Sequence, residues 1–202
     1  MEPPPARIMR WAAPPDLIQA FLLSQKIPLR VSGVCHNAEM ITNDIVERAC
    51  SEVGAYTDDQ MMSEFDRFFQ KQPGICDFVA ELTSESTTEI QELSLFQSYM
   101  VFKAAERDAL GNLNEVSPEQ IETAFHESES WIERIEQAQE DRNALEPDDT
   151  EPFLVQYVIS ELNQPLEDGT VLADEQKGEV FFVLRTVISS FARKPNGKET
   201  KS

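Results

Sequence analysis

The chain has only two histidines, and each is followed three residues later by a glutamate: His36 by Glu39 in HNAE, and His126 by Glu129 in HESE. Side chains three or four apart share one face of a helix, so each pair could offer a nitrogen and an oxygen to a metal ion. Around the second pair the spacing extends, with Glu122, His126, Glu129 and Glu133 following steps of four, three and four. These four form the metal-ligating set that the sequence offers. The di-metal helical bundles place glutamate before histidine at spacing three, twice, with two further glutamates. Here the order is reversed, and a chain this rich in glutamate generates such spacings by chance. A solvated polar face is therefore the first expectation, and no cofactor is expected.

Nucleophilic chemistry has less support. No serine stands in a Gly-x-Ser-x-Gly elbow, and no cysteine has the glycine-rich or basic surroundings that stabilise a thiolate. The stretches DALGNLNE and KPNGKET lack the paired glycines of a phosphate-binding loop. No catalytic residue is assigned, and enzyme activity is not expected. Cys35, Cys50 and Cys76 are an odd set with no CxxC spacing, which fits buried, reduced thiols in a cytoplasmic protein.

The strongest local signal is charge. From Glu115 to Glu151 there are thirteen acids against Arg134 and Arg142, a net of −11 within a chain whose total is −20. Over the helix expected at 118–141, Ile121, Phe125, Ser128, Ile132 and Ile135 make the seam that packs inward. Glu122, Glu129, Glu133, Glu136 and Glu140 run one position over as an acidic ridge. Trp131 falls beside the main seam and is expected to be half exposed, as aromatic residues at protein contacts often are. The ridge with Trp131 reads as a docking surface for a basic protein, or as a mimic of nucleic-acid phosphates. The plainer alternative is a solvated helix with Trp131 covered by a neighbour. The net charge disfavours direct binding of nucleic acid or of an anionic membrane.

Positioning these residues requires helices. Starts with a physical cause recur along the chain, no run alternates cleanly at period two, and only seven glycines occur in 202 residues. The expected fold is all-α, a globular domain of seven or eight helices. Capping boxes are expected at Thr57 with Gln60, Ser86 with Glu89, and Ser117 with Gln120, and prolines open helices at Pro73, Pro118 and Pro152. Other helices are expected at 16–25, 37–54, 87–109 and 174–193, with 87–109 the most buried. Met61, Phe65, Phe68 and Phe69 are expected to form one inward face of the helix that follows Thr57.

QPGICDFV (72–79) and EPFLVQYV (151–158) each open a short helix before a longer apolar one. They read as two helices that begin alike, with duplication of a short-long hairpin as the second reading. Residues 1–15 are expected to be a flexible proline-rich start, 16–192 a single domain with a hinge at 142–151, and 193–202 a disordered tail. The start of the chain has neither a signal-peptide core nor a stretch long enough to span a membrane. A soluble cytoplasmic protein without a membrane partner is expected, and a homodimer is compatible with the sequence.

Overall fold

The computed structural model describes residues 40–138, 151–166 and 169–192, leaving out the side chains of 135–138. Among the described residues there are seven helices and no strand: α1 Asn43–Val53, α2 Asp58–Lys71, α3 Pro73–Leu82, α4 Thr88–Asp108, α5 Pro118–Ala138, α6 Pro152–Leu162 and α7 Asp174–Phe191. The fold is all-α, as expected. No described helix is long and apolar enough to cross a membrane. The expected helix at 16–25, the flexible start, most of the 142–151 hinge and the tail lie outside the described residues.

Two helices form the centre. α4 buries an almost unbroken run from Gln97 to Ala105, and α7 buries residues all round its circumference from Val183 to Phe191. The sequence reading singled out α4 alone; α7 is its equal. The two pack on each other, with α1 and α3 against α4, and α5 and α6 against α7. The spacing Ile41, Ile45, Ala49 and Val53 predicts one face for α1; Ile41, Ala49 and Val53 are buried, but Val46 joins them in place of the half-buried Ile45, and α3 adds Ile75 and Val79. α2 departs from its expected face. Phe68 is fully buried, edge-on to Tyr99 and tilted against Phe102, whereas Phe69 remains 44% exposed.

Local start signals hold where both partners of the cap are close in sequence. Thr57 and Gln60 form a reciprocal box, and so do Ser117 and Gln120, each satisfying two backbone donors that the first helical turn leaves free. The box expected at Ser86 and Glu89 does not form. Thr87 is the N-cap of α4, and the Ser86 hydroxyl donates instead to the Glu179 carboxylate of α7. The helix starts one residue later than expected, so Ser86 stands before the N-cap, and its hydroxyl donates to a charged acceptor from another helix, a stronger bond than a neutral one.

The two octets occupy matching environments. Pro73 and Pro152 are each the first residue of their helix, Ile75 and Leu154 are buried, Phe78 and Tyr157 are half-buried, and Val79 and Val158 are buried. The residue before each proline is a buried polar side chain that fastens a distant backbone. Gln72 donates from Nε2 to the Asn114 carbonyl at 2.9 Å and accepts from the Val116 N–H at 2.9 Å. Glu151 accepts from the Ile41 N–H at 2.7 Å. Glu151 does so from the left-handed region, at φ 42° and ψ 63°, which is costly for a residue with a Cβ.

Candidate functional site

α5 leans on α7 through a polar knot set within apolar contacts. Ser128, fully buried, donates to the Ala124 carbonyl one turn back and receives bonds from Arg185 Nη1 at 2.9 Å and Thr186 Oγ1 at 3.0 Å. The Arg185 guanidinium lies 4.7 Å from the centre of the Trp131 ring, and Phe181 packs on that indole at 5.9 Å. Buried cations need such company, because desolvation is offset only by hydrogen bonds and a polarisable ring face.

Trp131 corrects one expectation. It is only 7% exposed, so it belongs to the α5–α7 packing and not to a half-exposed contact site. The physical reason is the width of the seam: Ala124, Ser128 and Trp131 form a second inward row beside Ile121, Phe125 and Ile132, and α7 is broad enough to cover both.

The acids of α5 point the other way. Glu122, Glu129 and Glu133 are exposed, and among the described residues none has a lysine or arginine at salt-bridge distance. The side chain of Glu136, and Glu140 altogether, lie outside the described residues. His126, 66% exposed, pairs with Glu129 at 2.9 Å from Nδ1 to Oε2. Glu122 and Glu133 do not join them: among the described residues no three His, Cys, Asp or Glu side chains gather as a metal site would require. His36 and Glu39 lie outside the described residues.

Acids elsewhere are treated differently. Arg67 of α2 grips Glu106 of α4 with both Nη atoms at 2.6 Å, and its Nη2 also reaches Glu64 at 2.7 Å. Lys71 adds a contact to Glu106 at 2.9 Å, Lys103 lies 3.1 Å from both Glu52 and Glu64, and Arg107 closes on Glu52. Burial alone would raise the Glu106 pKa, but Arg67 and Lys71 outweigh it and hold the carboxyl at about 2. Four bases are thus consumed by three acids on α1, α2 and α4, and among the described residues no lysine or arginine is left at salt-bridge distance from Glu122, Glu129 or Glu133.

Beside the α5 acids lies an aromatic row that the sequence reading did not assemble. Phe125 meets Phe78 of α3 edge to face at 6.2 Å and Phe182 of α7 at 5.4 Å, and all three rings are half-buried. Phe125 sits one turn from Glu122 and Glu129 and touches the ring of its neighbour His126 at 5.9 Å, so the half-buried rings and the exposed acids share a border. Only Phe125 was legible as part of the seam; Phe78 and Phe182 come from helices 47 and 57 positions away.

The two described cysteines are not poised as nucleophiles. Both are free thiols; burial pushes Cys76 up to about 12 and raises Cys50 as well. Comparison with known protein families, characterised proteins and solved structures found no match to this chain.

Proposed function

We propose that the protein is a non-enzymatic interaction or regulatory module whose docking surface is the outer face of α5. The observation that carries this reading is the contrast in charge pairing: among the described residues Glu122, Glu129 and Glu133 are exposed with no lysine or arginine at salt-bridge distance, Glu129 meeting the exposed His126, while Glu52, Glu64 and Glu106 are held in a network of lysine and arginine. The border with Phe78, Phe125 and Phe182 supplies apolar area, which a purely solvated ridge would lack. The partner is a basic protein that also offers apolar side chains. The free thiols favour a reducing, cytoplasmic setting.

The test is capture of partners from a native lysate at low and high salt, comparing the natural chain with Glu122→Lys/Glu129→Lys/Glu133→Lys. A basic protein that binds the natural chain, leaves with salt and ignores the variant is the expected result. Identical partners on both forms would remove α5 from consideration. If DNA or RNA displaces the captured protein, the acids act as a phosphate mimic and not as a simple docking ridge.

A further inference from the structure

We infer that the outward strip of α2, formed by Met62, Phe65 and Phe69 with Asp59 and Asp66 along its edge, binds a basic amphipathic helix of a partner protein. This surface does not depend on the reading of α5: α2 packs on α3 and α4, whereas α5 packs on α7 and α3.

Apolar exposure is the first argument. Met62 is 70% exposed and Phe69 44%. Exposed apolar residues scattered singly are ordinary, but these two are not single. Positions 62, 65 and 69 follow steps of three and four, which sets them on one strip of the helix. Phe65, between them, is half-buried and stacks on Phe96 of α4 at 6.3 Å and on Tyr99 at 4.7 Å. Phe96 is half-buried as well, so the apolar surface continues from α2 onto α4. A flexible methionine beside aromatic rings is a composition that adapts to the side chains of another helix.

Charge selects the kind of helix. The two bases of α2, Arg67 and Lys71, both turn toward α4, where they hold Glu106, and Arg67 also holds Glu64. Asp58, Asp59 and Asp66 are exposed, and among the described residues no lysine or arginine lies at salt-bridge distance from them. Asp58 and Asp59 suit the first turn of α2, where the helix dipole favours acids. Asp66 is mid-helix and has no such reason. Asp59, Met62, Asp66 and Phe69 follow steps of three, four and three, so acid and apolar side chains interleave along one edge. Glu92, exposed one turn before Phe96, adds a carboxylate on α4. A partner that covers Met62 and Phe69 must bring cations to these acids, because a carboxylate desolvated without a counter-charge is costly.

A second copy fails that requirement. Pairing strip on strip about a twofold axis sets Asp59 and Asp66 against the same acids of the other copy, in a chain whose net charge is −20. A helix with apolar residues at i, i+3 or i+4 and i+7 matches the spacing of Met62, Phe65 and Phe69, and lysines or arginines beside them meet the acids.

The experiment follows the methionine methyl groups of the full-length chain by NMR while a synthetic peptide of leucine and lysine is added. The peptide has about 18 residues, or about five turns, with its leucines on one face. Met62→Gln identifies the Met62 signal by its loss, and Met100, only 4% exposed, is the internal reference. The expected result is a saturable movement of the Met62 signal with Met100 unmoved, and binding about tenfold weaker in Phe69→Gln and in Asp59→Asn/Asp66→Asn. All three positions are exposed, so the fold withstands these changes. No movement of Met62 up to about 1 mM peptide would overturn the proposal. An equal response to a peptide of the same composition with its leucines spread around the helix would also overturn it, since charge alone would then suffice. Movement of Met62 with protein concentration, before any peptide is added, would assign the strip to a second copy and refute the basic partner.

Discussion

Replacing Gln72 by alanine is expected to cost about 2–3 kcal/mol, chiefly through one orphaned donor. Gln72 is 1% exposed and holds the connection between α4 and α5 by two bonds, to the Asn114 carbonyl and from the Val116 N–H. The two losses are unequal. Asn114 is exposed, so its carbonyl can turn to water, whereas Val116 is buried and its N–H has nowhere to go. An unsatisfied buried donor costs about 1–3 kcal/mol, and the space left by the side chain adds to it. Urea titration followed by circular dichroism reads the effect; at about 2 kcal/mol per molar for the denaturant slope, the midpoint drops by about 1 M. Gln72→Met retains volume without bonds and should recover little. Gln72→Glu keeps the acceptor for Val116 but sets a carboxylate against the Asn114 carbonyl, so its deficit should shrink as the pH falls and the new carboxyl is protonated. A midpoint for Gln72→Ala within about 0.2 M of the natural chain would refute the reasoning, as would full recovery by methionine, since filling of space would then explain everything.

Other expectations follow from the same structure. Glu106, held at about 2 from an ordinary value near 4.5, contributes stability that is present above pH 4.5 and is lost as the pH falls toward 2; the stability difference between the natural chain and Glu106→Gln, measured by denaturation across that window, should shrink as pH falls, and a constant difference would contradict the ion network. In a Trp11→Phe background the fluorescence of Trp131 should be blue-shifted and resistant to acrylamide, whereas a red, readily quenched emission would place the indole on the surface. Leu110 sits at φ 52° and is 88% exposed, so Leu110→Asn should raise stability by about 0.5–1 kcal/mol through relief of the left-handed conformation; a lower melting temperature would show that the leucine makes a contact of its own. Ser128→Ala should cost about 1–3 kcal/mol, because Arg185 and Thr186 both lose an acceptor inside the α5–α7 packing, and thermal denaturation checks it.

What was legible in the sequence is what is decided within one turn of helix. Pro73, Pro118 and Pro152 open helices where expected, because a fixed φ and a missing N–H act on the residue itself. The boxes at Thr57 and Ser117 close over three residues. Failures begin where a distant element competes. Ser86 turned to Glu179, 93 positions away, and Trp131 was buried by α7, whose position the spacing within α5 does not encode. The outer face of α2 was misjudged for a related reason: four apolar residues cover more than the face that α3 and α4 bury, so Phe69 is left in solvent. Of the docking surface, the acids were legible as a periodic row. That no described lysine or arginine reaches Glu122, Glu129 or Glu133 was not, because it depends on Arg67, Lys71, Lys103 and Arg107 being spent elsewhere.

Glu151 also bears on how this chain tolerates change. Its backbone angle favours glycine, while its carboxylate is needed by the Ile41 N–H. Glycine would relax the first and abandon the second; glutamine would keep an acceptor and leave the first as it is; asparagine suits the left-handed angle but is one methylene too short to hold the same bond without movement. No single replacement satisfies both demands, so the position is a local optimum reached by compromise. Improvement there needs two substitutions at once, one at 151 and one where the chain enters α1, and libraries that vary one site at a time will find replacements that hold the position but none that better it.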